Sequence, residues 1–174
     1  MRDLIRRRRA PAAVTQKLDA DDLVIAHAET SDGRILSASR RGLWLSNDQD
    51  ARLVRWEDIV TAVWAEGVLT VTEGLVVAER DGYVVVERRP PWRVTVTGSK
   101  RLPPAVRDRV VRSVAVTERH DVQGRGVLIV GRRVGGDADV RWCVVFDEPG
   151  DYRRDDLMAG VEMLLERAKA RRIA

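Results

Sequence analysis

From Leu23 to Thr97 the chain is a series of short runs in which apolar and polar residues alternate. Each run is closed by a turn signal, and no helical period interrupts them. Strict alternation places every second side chain on one face, so each run must pair with a neighbour and bury that face. Links this short suit antiparallel hairpins, because a parallel crossover needs a dozen or more residues. The feature is densest from Gly42 to Val71, where Trp44, Trp56 and Trp64, three of the five tryptophans, fall among Leu and Val.

The runs predict strands over 23–29, 34–39, 43–46, 52–56, 60–65, 68–73, 75–79, 83–88 and 92–97, with a single helical turn or a bend at Glu57-Asp58-Ile59. Glycines at Ser31-Asp32-Gly33, Glu66-Gly67 and Asp81-Gly82 supply the positive φ that tight hairpins need. Pro90 and Pro91 cannot donate to a ladder and mark an edge or a corner. Pro103-Pro104 suits a helix start. Val106, Val110 and Val114 at spacing four then predict a helix over about 104–117. Its β-branched stripe is a poor helix former alone and needs docking onto the sheet.

Past a loop bounded by Gly124 and Gly126, strands are predicted over 127–134 and 140–146, joined at Gly135-Gly136-Asp137. The second puts Val140, Trp142, Val144 and Phe146 on one face, and Arg141, Cys143 and Val145 on the other. Leu157, Val161, Leu164, Leu165 and Ala168 form the apolar stripe of a final helix over about 154–171. Asp155 and Asp156 in its first turn, and Lys169, Arg171 and Arg172 in its last, match the helix dipole. The fold class is therefore α+β: a curved antiparallel meander closed by a helix, then a β-hairpin and a C-terminal amphipathic helix. The expected division is a basic tail over 1–17, a barrel with its helix over 18–120, and a hairpin–helix appendage over 121–174.

At 174 residues the chain needs no staple to bury a core. One cysteine, Cys143, precludes an internal disulfide and suits a reducing cytoplasm. No apolar run is long enough to span a membrane. The net charge of +4 arises entirely in residues 1–9, where Arg2, Arg6, Arg7, Arg8 and Arg9 oppose Asp3. The remainder is electrically balanced, which gives no support to a duplex-reading basic face. The arginine run is a solvated terminus or an electrostatic tether to nucleic acid, acidic lipid or an acidic partner. The residues that follow it lack the apolar core of an export signal.

No phosphate loop and no Gly-x-Ser-x-Gly occurs. Two histidines and one cysteine make no zinc site, so neither metal nor cofactor is expected. His27 shares a strand face with Leu23 and Ile25 and reads as a core or rim residue. His120 follows the middle helix and complements its C-terminus. Cys143 reads as packing, with Arg141 beside it able to lower its pKa.

Residues 20–118 resemble a bacterial pleckstrin-homology-like domain of the GRAM-like kind. The resemblance rests on Leu23 and Ile25, the run from Ile35 to Trp44, the Trp56-Glu57-Asp58-Ile59 element, Ala62-Val63-Trp64, Leu69-Thr70-Val71, and a helix closing the series. It implies a partly open barrel plugged by a helix. The chain also resembles actinobacterial proteins of similar length, a likeness that brings no function with it. Phosphoinositide binding, which such a resemblance would suggest, is opposed by the first hairpin loop, Glu29-Thr30-Ser31-Asp32-Gly33-Arg34, with two acids and one arginine.

Three readings of function remain. The first is a non-catalytic module that binds a protein partner or itself. The second is a small-ligand protein or enzyme with a pocket in the sheet, holding His27 or Cys143 beside carboxylates. The third is nucleic-acid or acidic-membrane association through Arg6, Arg7, Arg8 and Arg9. Trp44 and Trp64 are expected to fill the core. Trp56 and Trp92, flanked by charged residues or proline, are expected to be partly exposed and to form, with Arg89 and Arg93, the ligand- or partner-binding set.

Overall fold

A computed structural model describes residues 12–18, 22–47, 49–134 and 139–173. Its strands form one open, mixed, eleven-stranded sheet in the order β4-β3-β2-β1-β8-β6-β7-β11-β10-β9, with β5 added on β6. The strands are β1 (Val24–Thr30), β2 (Ile35–Ser39), β3 (Gly42–Ser46), β4 (Ala51–Arg55), β5 (Ile59–Ala65), β6 (Val68–Arg80), β7 (Tyr83–Arg88), β8 (Trp92–Thr97), β9 (Val114–Val122), β10 (Arg125–Arg133) and β11 (Val140–Phe146). Three α-helices join them: α1 (Ala12–Thr15), α2 (Leu102–Ser113) and α3 (Asp155–Ile173). A 3-10 turn at Trp56–Asp58 links β4 to β5. The α+β class therefore holds, with eight strands before the middle helix.

The spine is β6. The two runs expected at 68–73 and 75–79 are one strand of 13 residues. Gly74 does not break it, because the ladder continues from Val71↔Trp92 to Gly74↔Arg88. On one side β7 and β8 lie end to end, interrupted only at Arg89-Pro90-Pro91. Arg89 N still donates to Glu73 O at 2.8 Å across that interruption. The first half of β6 carries β8 and β5, and through β8 the antiparallel run β1–β4. The second half carries β7, and β7 pairs in parallel with β11. β6 thus divides the eleven-stranded sheet into two halves, a first sheet of β1–β5, β8 and the start of β6 and a second sheet of residues 75–88 with β9–β11. The division expected at 120/121 falls inside β9.

The middle helix is shorter than its period predicts. It ends at Ser113, whose Oγ donates back to Val110 O at 2.7 Å. Val114–Val122 becomes β9, paired along β10. Ladder hydrogen bonds and the β preference of Val114, Val116 and Thr117 override a spacing-four pattern that β-branched residues fill poorly. His120 therefore lies within a strand, where Nε2 meets Glu118 Oε2 at 3.1 Å, and does not cap a helix. The turn into β10 is Gln123-Gly124, with φ of +55° and +76°, and Glu66-Gly67 has the same left-handed pair at +50° and +80°. Both are two-residue loops of the mirror-image kind that matches strand twist. The expected turn at Gly135-Gly136-Asp137 lies outside the described residues.

Two main cores result. Leu36, Leu43, Val54, Trp56, Ile59, Leu69, Val71 and Val94 pack with Leu102 and Val106 of α2 inside the first sheet. Val85, Val127, Ile129, Trp142, Val144 and Phe146 pack with Leu157, Val161, Leu165 and Ala168 of α3 on the second. Trp44 fills neither. It alternates away from Leu43 and Leu45 onto the outer face, where Val14 and Leu18 cover it with Ala51. Residues 12–17, expected within the basic tail, thus dock on the sheet with Leu18, and Lys17 Nζ reaches Asp50 Oδ1 at 2.5 Å. Arg6–Arg9 lie outside the described residues.

Tyr83 ties β7 to α3 through Oη, which donates to Glu162 Oε1 at 2.9 Å. Burial first, and the Glu162 carboxylate second, push the phenol from 10.0 up to about 12. A folded pKa above the unfolded one means that this contribution is complete below the unfolded value and disappears as pH rises through the folded value. Tyr83→Phe is expected to cost about 1 kcal/mol at neutral pH and to remove the part of the alkaline stability loss lying between those two values. Urea unfolding across that range checks it, and an unchanged decline in the variant would assign the loss elsewhere.

Candidate functional site

Of the partly exposed set expected from sequence, Trp56 departs. Trp56 is 4% exposed, inside the first core, with Nε1 donating to Ser39 O at 3.1 Å. Its charged neighbours point outward because they flank it in a 3-10 turn, which aims Trp56 at the core. Arg89, Pro90, Pro91 and Arg93 are exposed, as expected of a corner. Trp92 is half-buried against the first core, and its Nε1 donates to Glu73 Oε1 at 2.6 Å. Arg52 holds the same carboxylate from β4, at 2.6 and 2.5 Å. Glu73 therefore spans the gap between β4 and β6, a structural role for Trp92.

The first hairpin loop offers an anion little. Arg34 is bound to Asp32 through Nε at 2.9 Å and Nη2 at 2.5 Å. That pairing, with Thr30 Oγ1 donating to Asp32 Oδ1 at 2.5 Å, holds the Asp32 carboxyl well below the usual range. The loop's arginine is thus neutralised by its own neighbour.

A different place brings charged groups together. Between the two sheets, on the face of the second sheet opposite α3, lies a cleft of about 400 Å³ counting its open mouth. The turn at Glu57 and Asp58 and the start of β5 form one wall. Gly74, Val76, Val86, Val130 and Val145 form the apolar lining, and Arg132, Arg141 and Cys143 the polar one. Alternation along β11 explains the strand's part: Arg141, Cys143 and Val145 face the cleft while Trp142 and Val144 face α3. Gly74 keeps the floor open, since a Cβ there would stand 2.5 Å from Val86 Cγ1 and 3.3 Å from Val60 Cγ2.

Arg132 is the unusual member. It is 6% exposed. Nη1 donates to Ser113 Oγ at 3.2 Å and Nη2 to Val60 O at 3.4 Å, and it forms no ion pair among the described residues. The nearby carboxylates are turned elsewhere. Asp58 meets Arg141 at 3.8 Å at the rim, and Glu57 meets Arg55 at 3.8 Å. Burial lowers the Arg132 pKa, raises the Glu57 carboxyl and raises the Cys143 thiol, the last despite Arg141 and Arg132. Each shift has the same physical cause: a low-dielectric site disfavours the charged form.

His27 does not line this cleft. It lies on the outer face of β1 with Leu23 and Ile25, which are 55% and 43% exposed. Among the described residues no group of three or more His, Cys, Asp or Glu side chains is placed to hold a metal ion. Among them also, no helix is long and apolar enough to cross a membrane. Sequence reasoning singled out Cys143 and its strand face but missed Arg132, Glu57 and Asp58. The available signal was the alternation of Val130 and Arg132 with Ile129 and Gly131, an arginine on the apolar face of a strand. Comparison with protein-family models and with curated proteins finds no match for the chain.

Proposed function

We propose that the protein is a non-catalytic binding module that takes a small ligand in the cleft between its two sheets. One observation carries this reading: a buried guanidinium without an ion-pair partner lines an apolar cleft open to solvent. An uncompensated buried charge is costly, and such groups concentrate at sites that receive an opposite charge from outside. The non-catalytic part rests on Cys143. A nucleophilic cysteine needs thiolate character, and burial here favours the thiol. Neither histidine lines the cleft to act as its base.

The pleckstrin-homology-like resemblance belongs to the same proposal. The order β4-β3-β2-β1-β8-β6-β5, with Leu102 and Val106 of α2 packed inside it, fits a partly open barrel plugged by a helix. Binding of a protein partner at the exposed Arg89–Arg93 corner is the second reading, favoured by its two exposed prolines and two exposed arginines.

A fragment screen on isotopically labelled protein tests the choice. Amide shifts clustered on Glu57, Val76, Arg132 and Cys143 are the expected result. A screen in which no fragment perturbs those positions would overturn the cleft reading and leave the corner as the binding surface.

A further inference from the structure

We infer that the ligand of this cleft is a monoanion, a single carboxylate on a compact branched or straight alkyl body, anchored by Arg132; the inference rests on the binding role proposed above and adds its chemistry. The charges support one negative charge. Asp58 is engaged by Arg141 and Glu57 by Arg55, each at 3.8 Å, which leaves Arg132 as the cation of the cleft with no carboxylate in direct contact among the described residues. A dianion such as phosphate would meet Asp58 and Glu57 on the wall of the same cleft, and their repulsion grows with each added charge.

The donors support a carboxylate. The planar guanidinium carries five N–H groups, and its two hydrogen bonds, to Ser113 Oγ and Val60 O, leave a planar fork able to take two oxygens side by side. The residues lining the cleft include no lysine, which a multiply charged group would favour, and five valines, at 60, 76, 86, 130 and 145. Those side chains offer an alkyl body its contacts and offer a sugar or a peptide backbone no partners. The cleft is also small, about 400 Å³ with its open mouth, so the alkyl part is a few carbons long.

Arg132 also places this ligand at the join of the two sheets. Its partners belong to the end of α2 and to β5, while the arginine itself is on β10. Occupancy thus draws on residues from both halves of the molecule.

The test titrates the full chain with isovalerate, its neutral isostere isovaleramide, and inorganic phosphate, read by heteronuclear NMR at the Arg132 Nε–H and the Cys143 amide. Isovalerate is expected to bind at least about tenfold tighter than the amide. That binding is expected to vanish in Arg132→Gln and, independently of any fold defect there, in Val76→Phe. Val76 is 36% exposed, and the larger ring fills the mouth without entering a core. Equal binding of isovaleramide overturns the anion inference and leaves the cleft a neutral-ligand site. Phosphate binding tighter than isovalerate overturns the monoanion, and shifts confined to residues outside the cleft overturn both the inference and the binding role it rests on.

Discussion

Trp56→Ala is expected to cost about 3–5 kcal/mol, enough to leave a marginally stable domain largely unfolded. The residue is 4% exposed among Leu36, Leu43, Ile59 and Leu102. Its removal opens a cavity that these neighbours, fixed on three strands and a helix, cannot close. It also strands Ser39 O, which accepts from Nε1 at 3.1 Å. Ser39 is itself a junction: its Oγ donates to buried Asp22, whose other oxygen accepts from Arg40 N, both at 2.9 Å. Trp92→Ala should cost clearly less, since Trp92 is only half-buried. Urea unfolding of the two variants followed by circular dichroism checks the order. Equal losses would mean that Trp56 is not the core residue described.

Leu157→Ala and Leu165→Ala are each expected to cost about 2–5 kcal/mol, and to weaken the first sheet as well as the second. Both leucines are fully buried against Val85, Val127 and Ile129. The second expectation comes from β6 and from the β7–β8 line beside it, which run through both sheets. A strand cannot keep half of its ladder while the other half dissolves without exposing the unpaired groups at the break. Native-state hydrogen exchange reads this directly. The Val71 and Val85 amides should lose protection together in Leu157→Ala, giving one transition for the whole chain. Val71 protected while Val85 exchanges would establish two independent units instead.

The element list was largely legible in the sequence, for a local reason. Alternation, hairpin glycines and a four-residue apolar stripe each act within a few residues, so β1 to β5, β7, β8, β10, β11 and α3 fall close to their expected places. The misreadings lie where a distant partner decides. Gly74 reads as a break but is held in β6 by Arg88 across the ladder. Val114 reads as the next turn of α2 but pairs with Arg132. Trp56 reads as a partly exposed residue from its charged neighbours but is aimed inward by a 3-10 turn. Trp44 is buried as expected, but in a small cluster under Val14 and Ala51 on the outer face and not inside the first sheet.

The candidate site was less legible still. Cys143 and its strand face could be read from alternation, yet the cleft takes its other residues from four separate segments around 57–60, 74–76, 86 and 130–132. What the sequence alone determined was periodicity and charge: a chain of short strands, two amphipathic helices and a balanced body behind a basic terminus. Only the tertiary structure decided that β6 serves two sheets, that β7 and β11 run parallel, and that Arg132 is buried without a direct ion pair. Those outcomes depend on pairing between residues far apart in the chain. Long-range pairing selects one register from many that local patterns permit equally, and burial of a charge is a property of everything packed around it.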